Sequence, residues 1–151
     1  MSHAAPPQGE GRGPHRPSRL LHTMLRVGDL QRSLRFYVDL LGMRLLRRVD
    51  YPAGRFTLAF VGFADESEAS VLELTHNWDQ THYAPGSGFG HVALAVADLA
   101  RCCADLARAG VQIPRPPGPM SHLPADALAT IEVFAFAVDP DGYRVELIQR
   151  H

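Results

Sequence analysis

The sequence predicts an α+β fold made of tandem βαβββ repeats whose curved mixed sheets form a cavity. Three observations predict it: a duplicated segment, strand-like alternation around each copy, and one amphipathic helix following each copy. LHTMLRVGDLQR at Leu21 to Arg32 is answered by GHVALAVADLAR at Gly90 to Arg101, and both carry His, six residues, Asp-Leu, one residue, Arg.

The elements follow in order. An alternating strand runs to Val27, and Asp29 then offers a side-chain oxygen to the free amides of a helix start. The helix carries Leu30, Leu34, Tyr37, Val38 and Leu41 on one face, and Gly42 stops it in the left-handed region. Strand-like stretches at Met43 to Tyr51, Arg55 to Gly62 and Ser70 to His76 come next, separated by Pro52-Ala-Gly54 and the acidic turn Asp65 to Glu68. The second copy runs to Val96, is capped by Asp98 and continues as a helix through Leu99, Cys103 and Leu106 to Gly110. Val111 to Arg115 is expected as its next strand, followed by an irregular proline-rich loop, Pro114 to Pro124. Ile131 to Val138, the turn Asp139-Pro-Asp-Gly142 and Tyr143 to Ile148 close the chain.

The expected organisation is an extension over residues 1–18, rich in Pro, Gly and Arg and disordered, then a single domain over 19–151. Its two modules span about 19–80 and 88–151. The net charge of -1, the 46% hydrophobic content and scattered arginines, with no lysine anywhere, argue against a nucleic-acid partner. No apolar run is long enough to span a bilayer, and the first seventeen residues lack the apolar stretch of a signal peptide. Cys102 and Cys103 are adjacent on a helix, where a disulfide is unfavourable, so a reducing cytoplasm is expected.

Alternation places His22, Met24 and Arg26 on one strand face, and His91, Ala93 and Ala95 on the equivalent face of the second copy. Glu73, between Leu72 and Leu74, and Glu146, between Val145 and Leu147, are the polar members of the two closing strands. A lone strand Glu or His is most often a solvated residue. Two histidines and two glutamates at matching positions of a repeat form a pseudo-symmetric set that suits a divalent cation such as Ni²⁺, Co²⁺, Zn²⁺ or Mn²⁺, provided that the halves, or two chains, bring them together. His3, His15, His76, His82, His122 and His151 are not expected to bind metal.

The strings LLHTMLRVGDLQRS, RFYVDLLGM, LAFVGF, ELTHNW, GFGHVALAV and DPDGYRVELI resemble the shorter bacterial type of glyoxalase I, a lactoylglutathione lyase family of the vicinal oxygen chelate superfamily. The resemblance runs from about Leu20 to Gln149. It implies His22, Glu73, His91 and Glu146 as metal ligands, with nickel favoured and cobalt or zinc as alternatives, and glutathione as cosubstrate. It further implies a homodimer with intersubunit sites, acting on the methylglyoxal–glutathione hemithioacetal through a cis-enediolate. Glu146 is then the proton-transferring base with Glu73 assisting, and Arg26, Asn77 and His91 contact substrate. Arg26 shares the His22 face, which favours that contact; the alternatives are that its guanidinium pairs with a carboxylate at the sheet rim and that Asn77 caps the turn before Trp78. The segment PMSHLPADALATIEV is longer than the family's lysine-containing loop, which opens the choice of thiol cosubstrate. The competing readings are extradiol ring cleavage on Fe²⁺ and non-enzymatic drug binding. The paired Glu73 argues against the first, and four filled ligand positions against the second.

Overall fold

The computed structural model describes residues 14–126 and 130–151. Most of the expected N-terminal extension, and residues 127–129 of the long loop, lie outside the described residues. Residues 14–21 are exposed throughout and lead into the first strand.

Two four-stranded mixed sheets form an α+β architecture. The first holds β1 (His22–Arg26), β2 (Arg44–Tyr51), β3 (Phe56–Gly62) and β4 (Val71–Asn77) in the order β1-β4-β3-β2. The second holds β5 (His91–Val96), β6 (Arg115–Pro119), β7 (Val133–Val138) and β8 (Arg144–Gln149) in the order β5-β8-β7-β6. Within each sheet the first strand runs parallel to the last, and the helix between them makes the crossover that parallel pairing needs.

The helix caps form as the sequence predicts. Asp29 accepts from the Arg32 amide and Asp98 from the Arg101 amide, both at 3.0 Å, and Gly42 and Gly110 take positive φ values of 80° and 87° beyond the helix ends. The first helix departs from expectation inside. Its α-helical turns cover only Leu30–Leu34 (α1), and Arg35–Leu40 continue as a π-helix closed by bonds such as Leu41 N–H to Phe36 C=O at 3.0 Å. The wider turn lets two consecutive aromatic rings, Phe36 and Tyr37, both enter the core, edge to face at 4.9 Å. Sequence periodicity allotted only Tyr37 to that face, because an α-helix turns neighbours about 100° apart. The second helix, α2 (Leu99–Arg108), buries Leu99, Cys103 and Leu106 as expected. Cys102 is half-buried, Cys103 is buried, and both are free thiols.

A second departure is β6. The expected strand at Val111 to Arg115 is displaced into the proline-rich segment, and Arg115–Pro119 pair with β7 through Arg115↔Phe136, Gly118↔Phe134 and Pro119↔Val133. Prolines are tolerated because β6 is an edge strand, where missing amides cost no ladder bond. The Arg115 guanidinium replaces that missing ladder: it donates to the carbonyls of Pro116, Gly118, Pro119 and Phe134 and stacks on the Phe134 ring at 3.9 Å.

One continuous core joins both halves, with Leu25, Val27, Leu74, Val61, Leu99, Ala135, Val145 and Leu147 all nearly or fully buried. The seam is also polar. The DPDG turn reaches back into the first half, where Asp141 accepts from the Gly28 amide at 2.8 Å and from the Ser33 hydroxyl, and Asp139 accepts from the Tyr37 hydroxyl at 2.7 Å. Tyr143 donates its hydroxyl to the Arg26 carbonyl at 2.8 Å.

Candidate metal centre

The alternation of β1 is carried out in three dimensions: Leu25 is buried while His22, Met24 and Arg26 are exposed on the opposite face. In β5, His91, Ala93 and Ala95 are likewise exposed and Val92, Leu94 and Val96 half-buried. The apolar faces pack toward the helices, which leaves the histidine faces open. On β4 and β8 the flanking Leu74, Val145 and Leu147 are fully buried, so Glu73 and Glu146 must project the other way, onto the histidine faces.

Each histidine meets its own half's glutamate. His22 Nε2 lies 2.7 Å from Glu73 Oε2, and His91 Nε2 lies 2.9 Å from Glu146 Oε2. The match extends outward, since Phe60 is in register with Glu73 and sets its ring edge-on to His22 at 5.5 Å, while Phe136 is in register with Glu146 and meets His91 at 5.2 Å. The sequence reading missed these two phenylalanines, although their equivalent places in the repeat were a usable signal. It also missed Thr75, whose hydroxyl donates to Glu73 Oε1 at 3.2 Å; the equivalent position beyond Glu146 is Ile148, which has no hydroxyl.

The two pairs do not join within one chain. Among the described residues no three His, Cys, Asp or Glu side chains are grouped to hold a metal ion. Two clefts, of about 540 and 560 Å³, lie elsewhere: one at the seam beside Arg35, Phe36, Gln112 and Pro140, one beside Gly28, Trp78 and His82, and neither is lined by any of the four. The donor chemistry nevertheless fits a divalent cation. Each half presents an imidazole nitrogen and a carboxylate oxygen within hydrogen-bond distance, both of them lone-pair donors that a divalent cation can draw. In place of the cavity expected within the fold, one chain presents two separate His–Glu pairs on open sheet faces.

Arg26 is exposed, and among the described residues its guanidinium makes no hydrogen bond or ion pair, so the carboxylate partner weighed at the sheet rim is not there. Asn77 is half-buried and donates its amide to the Tyr83 hydroxyl at 2.9 Å rather than capping the turn at Trp78. His76, as expected, turns away from Glu73, with Nδ1 3.2 Å from the Val27 carbonyl.

The profile of the Glyoxalase/Bleomycin resistance protein/Dioxygenase superfamily matches residues 19–147. The chain belongs to this superfamily. Among its glyoxalase relatives, a probable lactoylglutathione lyase of Synechocystis is 55% identical over 130 residues, covering 86% of this chain and 94% of the relative. The lactoylglutathione lyase of Neisseria meningitidis serogroup A is 54% identical over 132 residues, covering 87% and 91%. Two solved structures agree in fold. A glyoxalase I of Leishmania major, described as trypanothione-dependent, superposes with a TM-score of 0.73 at 40% identity over 88% of this chain and 87% of its own. Glyoxalase I of Zea mays gives 0.78 at 42% identity over 87% of this chain, which spans 44% of the maize chain.

Proposed function

We infer that this glyoxalase-superfamily chain is a lactoylglutathione lyase, isomerising the methylglyoxal–glutathione hemithioacetal to S-lactoylglutathione. The observation that carries the reading is the pair of His–Glu contacts, duplicated at equivalent positions on open sheet faces.

His22, Glu73, His91 and Glu146 would hold one divalent metal ion, nickel by preference. Because one chain carries two half-sites on exposed faces, the complete set is assembled between two copies, the His22–Glu73 pair of one facing the His91–Glu146 pair of the other. Exposed apolar side chains on and beside these sheets, including Met24, Leu45 and Val133, support such a homodimer. When bound, the metal supplies Lewis-acid polarisation, which makes the carbon acid beside the carbonyl accessible to a carboxylate.

The chain's own residues carry the proton. Glu146 takes it from the carbon bearing sulfur and returns it to the neighbouring carbon. The two glutamates are not equivalent as proton carriers. Thr75 ties down one oxygen of Glu73, whereas Glu146 has no such donor from its own strand and is the freer to move. Phe60 and Phe136 meet the two imidazoles edge-on and favour these ring orientations. Arg26 is unpaired among the described residues and suits the γ-glutamyl carboxylate, and Asn77 joins it through the amide now shared with Tyr83. Two free thiols fit a reducing cytoplasm, and among the described residues no helix is long and apolar enough to cross a membrane.

The test is thioester absorbance after mixing nickel-, cobalt- or zinc-loaded protein with methylglyoxal and glutathione. Accumulation of thioester is expected, and its absence with all three metals would refute the lyase. Glu146→Gln should lower kcat about 10²- to 10⁴-fold while metal analysis still finds substantial occupancy; near-normal turnover would remove Glu146 from its role.

A further inference from the structure

The two halves agree in their imidazoles and glutamates but differ in their cations. In register with His91 across β5 and β8 stands Arg144, whereas in register with His22 across β1 and β4 stands Val71. Val71 is buried at 5% exposure, while Arg144 is exposed and, two residues from Glu146, projects from the same strand face. The reverse asymmetry lies four residues beyond each histidine, where the first half has Arg26 and the second Ala95. Each half thus has a cation where the other has an apolar residue.

Most neighbouring arginines are already committed: Arg47 to Glu66, Arg55 to Asp79, Arg150 to Glu132, and Arg115 to backbone carbonyls. Arg144 has no hydrogen bond or ion pair among the described residues. Its Cζ lies 5.8 Å from the centroid of the Phe136 ring, the same ring that meets His91. An unpaired guanidinium beside an aromatic face, adjoining a His–Glu pair, is matched to a carboxylate. The long loop after β6 offers no competitor, since residues 120–132 contain neither lysine nor arginine.

Resting on the lyase reading above, we propose that Arg144 is a specificity residue that binds the glycine carboxylate of the thiol tripeptide, at the opposite end from Arg26. A ligand set with near-twofold symmetry can receive an unsymmetrical adduct in two orientations. Cations at non-equivalent positions hold the adduct's two carboxylates differently and leave one orientation, with the acidic carbon toward Glu146.

The test compares the methylglyoxal adducts of glutathione and of γ-glutamylcysteine, which lacks the glycine, on nickel-loaded wild type, Arg144→Gln and Arg144→Lys. Wild type should lose about tenfold in KM when the glycine is absent, the size of one charge-assisted contact. Arg144→Gln should show that raised KM with both adducts, with kcat for glutathione changed less than about threefold, and Arg144→Lys should recover part of the preference. Calorimetric titration of the metal-free proteins with S-hexylglutathione should give the same ranking without turnover. If Arg144→Gln keeps the full preference for the glutathione adduct, the assignment is overturned while the lyase stands. If wild type turns over neither adduct, the lyase reading falls and takes this assignment with it.

Discussion

Tyr37 and Asp139 meet at 2.7 Å inside the seam, and burial dominates the acidity of both. Burial, with the charge of Asp139 second, raises the Tyr37 phenol well above its ordinary value. Burial also raises Asp139, against the lowering effect of the Tyr37 hydroxyl and the amides of Tyr143 and Asp141. The unfolded chain releases the tyrosine proton at about pH 10, the ordinary value for a phenol, whereas the folded chain retains it, so this share of stability is present below that pH and lost as pH rises beyond it. Asp139 acts in the same direction at acid pH: the folded state holds its proton above the unfolded value, so stability falls as pH rises through that window. Tyr37→Phe should therefore flatten the alkaline arm of stability, leaving the share of Tyr143, which burial also raises. It should cost about 1–3 kcal/mol at neutral pH, because Asp139 loses a buried donor. Urea unfolding between pH 7 and 11 measures both, and an unchanged alkaline slope would contradict this coupling. His22, Glu73, His91 and Glu146 could be read from the sequence because a period of two sends each to a predictable face. The pairing of Tyr37 with Asp139 could not, because the partners lie 102 residues apart and the sequence displays only a turn tetrapeptide.

The elements were legible wherever local chemistry decides them and obscure where packing does. Asp29, Asp98, Gly42 and Gly110 bound their helices by side-chain and φ requirements that a sequence states openly. The π-helix answers to two aromatic rings competing for one core, and β6 to a guanidinium standing in for absent amides; both are settled by packing and side-chain bonds that periodicity does not display. The turn between β1 and α1 shows how tightly such neighbours can bind an element. A Cβ on Gly28 would lie 2.0 Å from the Thr81 carbonyl oxygen, and the Gly28 amide holds Asp141. Gly28→Ala should then destabilise by about 1–3 kcal/mol, as overpacking against backbone does. Gly88→Ala, where nothing lies within 4 Å, should stay within about 0.5 kcal/mol. Calorimetric melting of the two variants makes the comparison, and equal midpoints would contradict it.

At the scale of the molecule, a duplicated unit gives one chain two His–Glu pairs that face outward on separate sheets. The sequence showed the duplication, but in the folded chain the His22–Glu73 and His91–Glu146 pairs stay apart, and no periodicity encodes whether a second copy brings them together. A dimer completed through these faces predicts one metal per chain, a sedimenting mass twice that of the chain, and a melting midpoint that rises with protein concentration. Equilibrium sedimentation with metal analysis checks it, and a monomer that binds one metal tightly would contradict it. The edge strands are β1 and β2 in one sheet and β5 and β6 in the other, and β2 and β6 are guarded differently: β2 with Arg44, Arg47 and Arg48, β6 with Pro116, Pro117 and Pro119. A stray extended peptide meets ion-paired charged side chains at one border, Arg44 with Asp65, Arg47 with Glu66 and Arg48 with Asp50, and too few donors at the other. An edge so short of free amides gives a further strand little to add to, which limits polymerisation along β6.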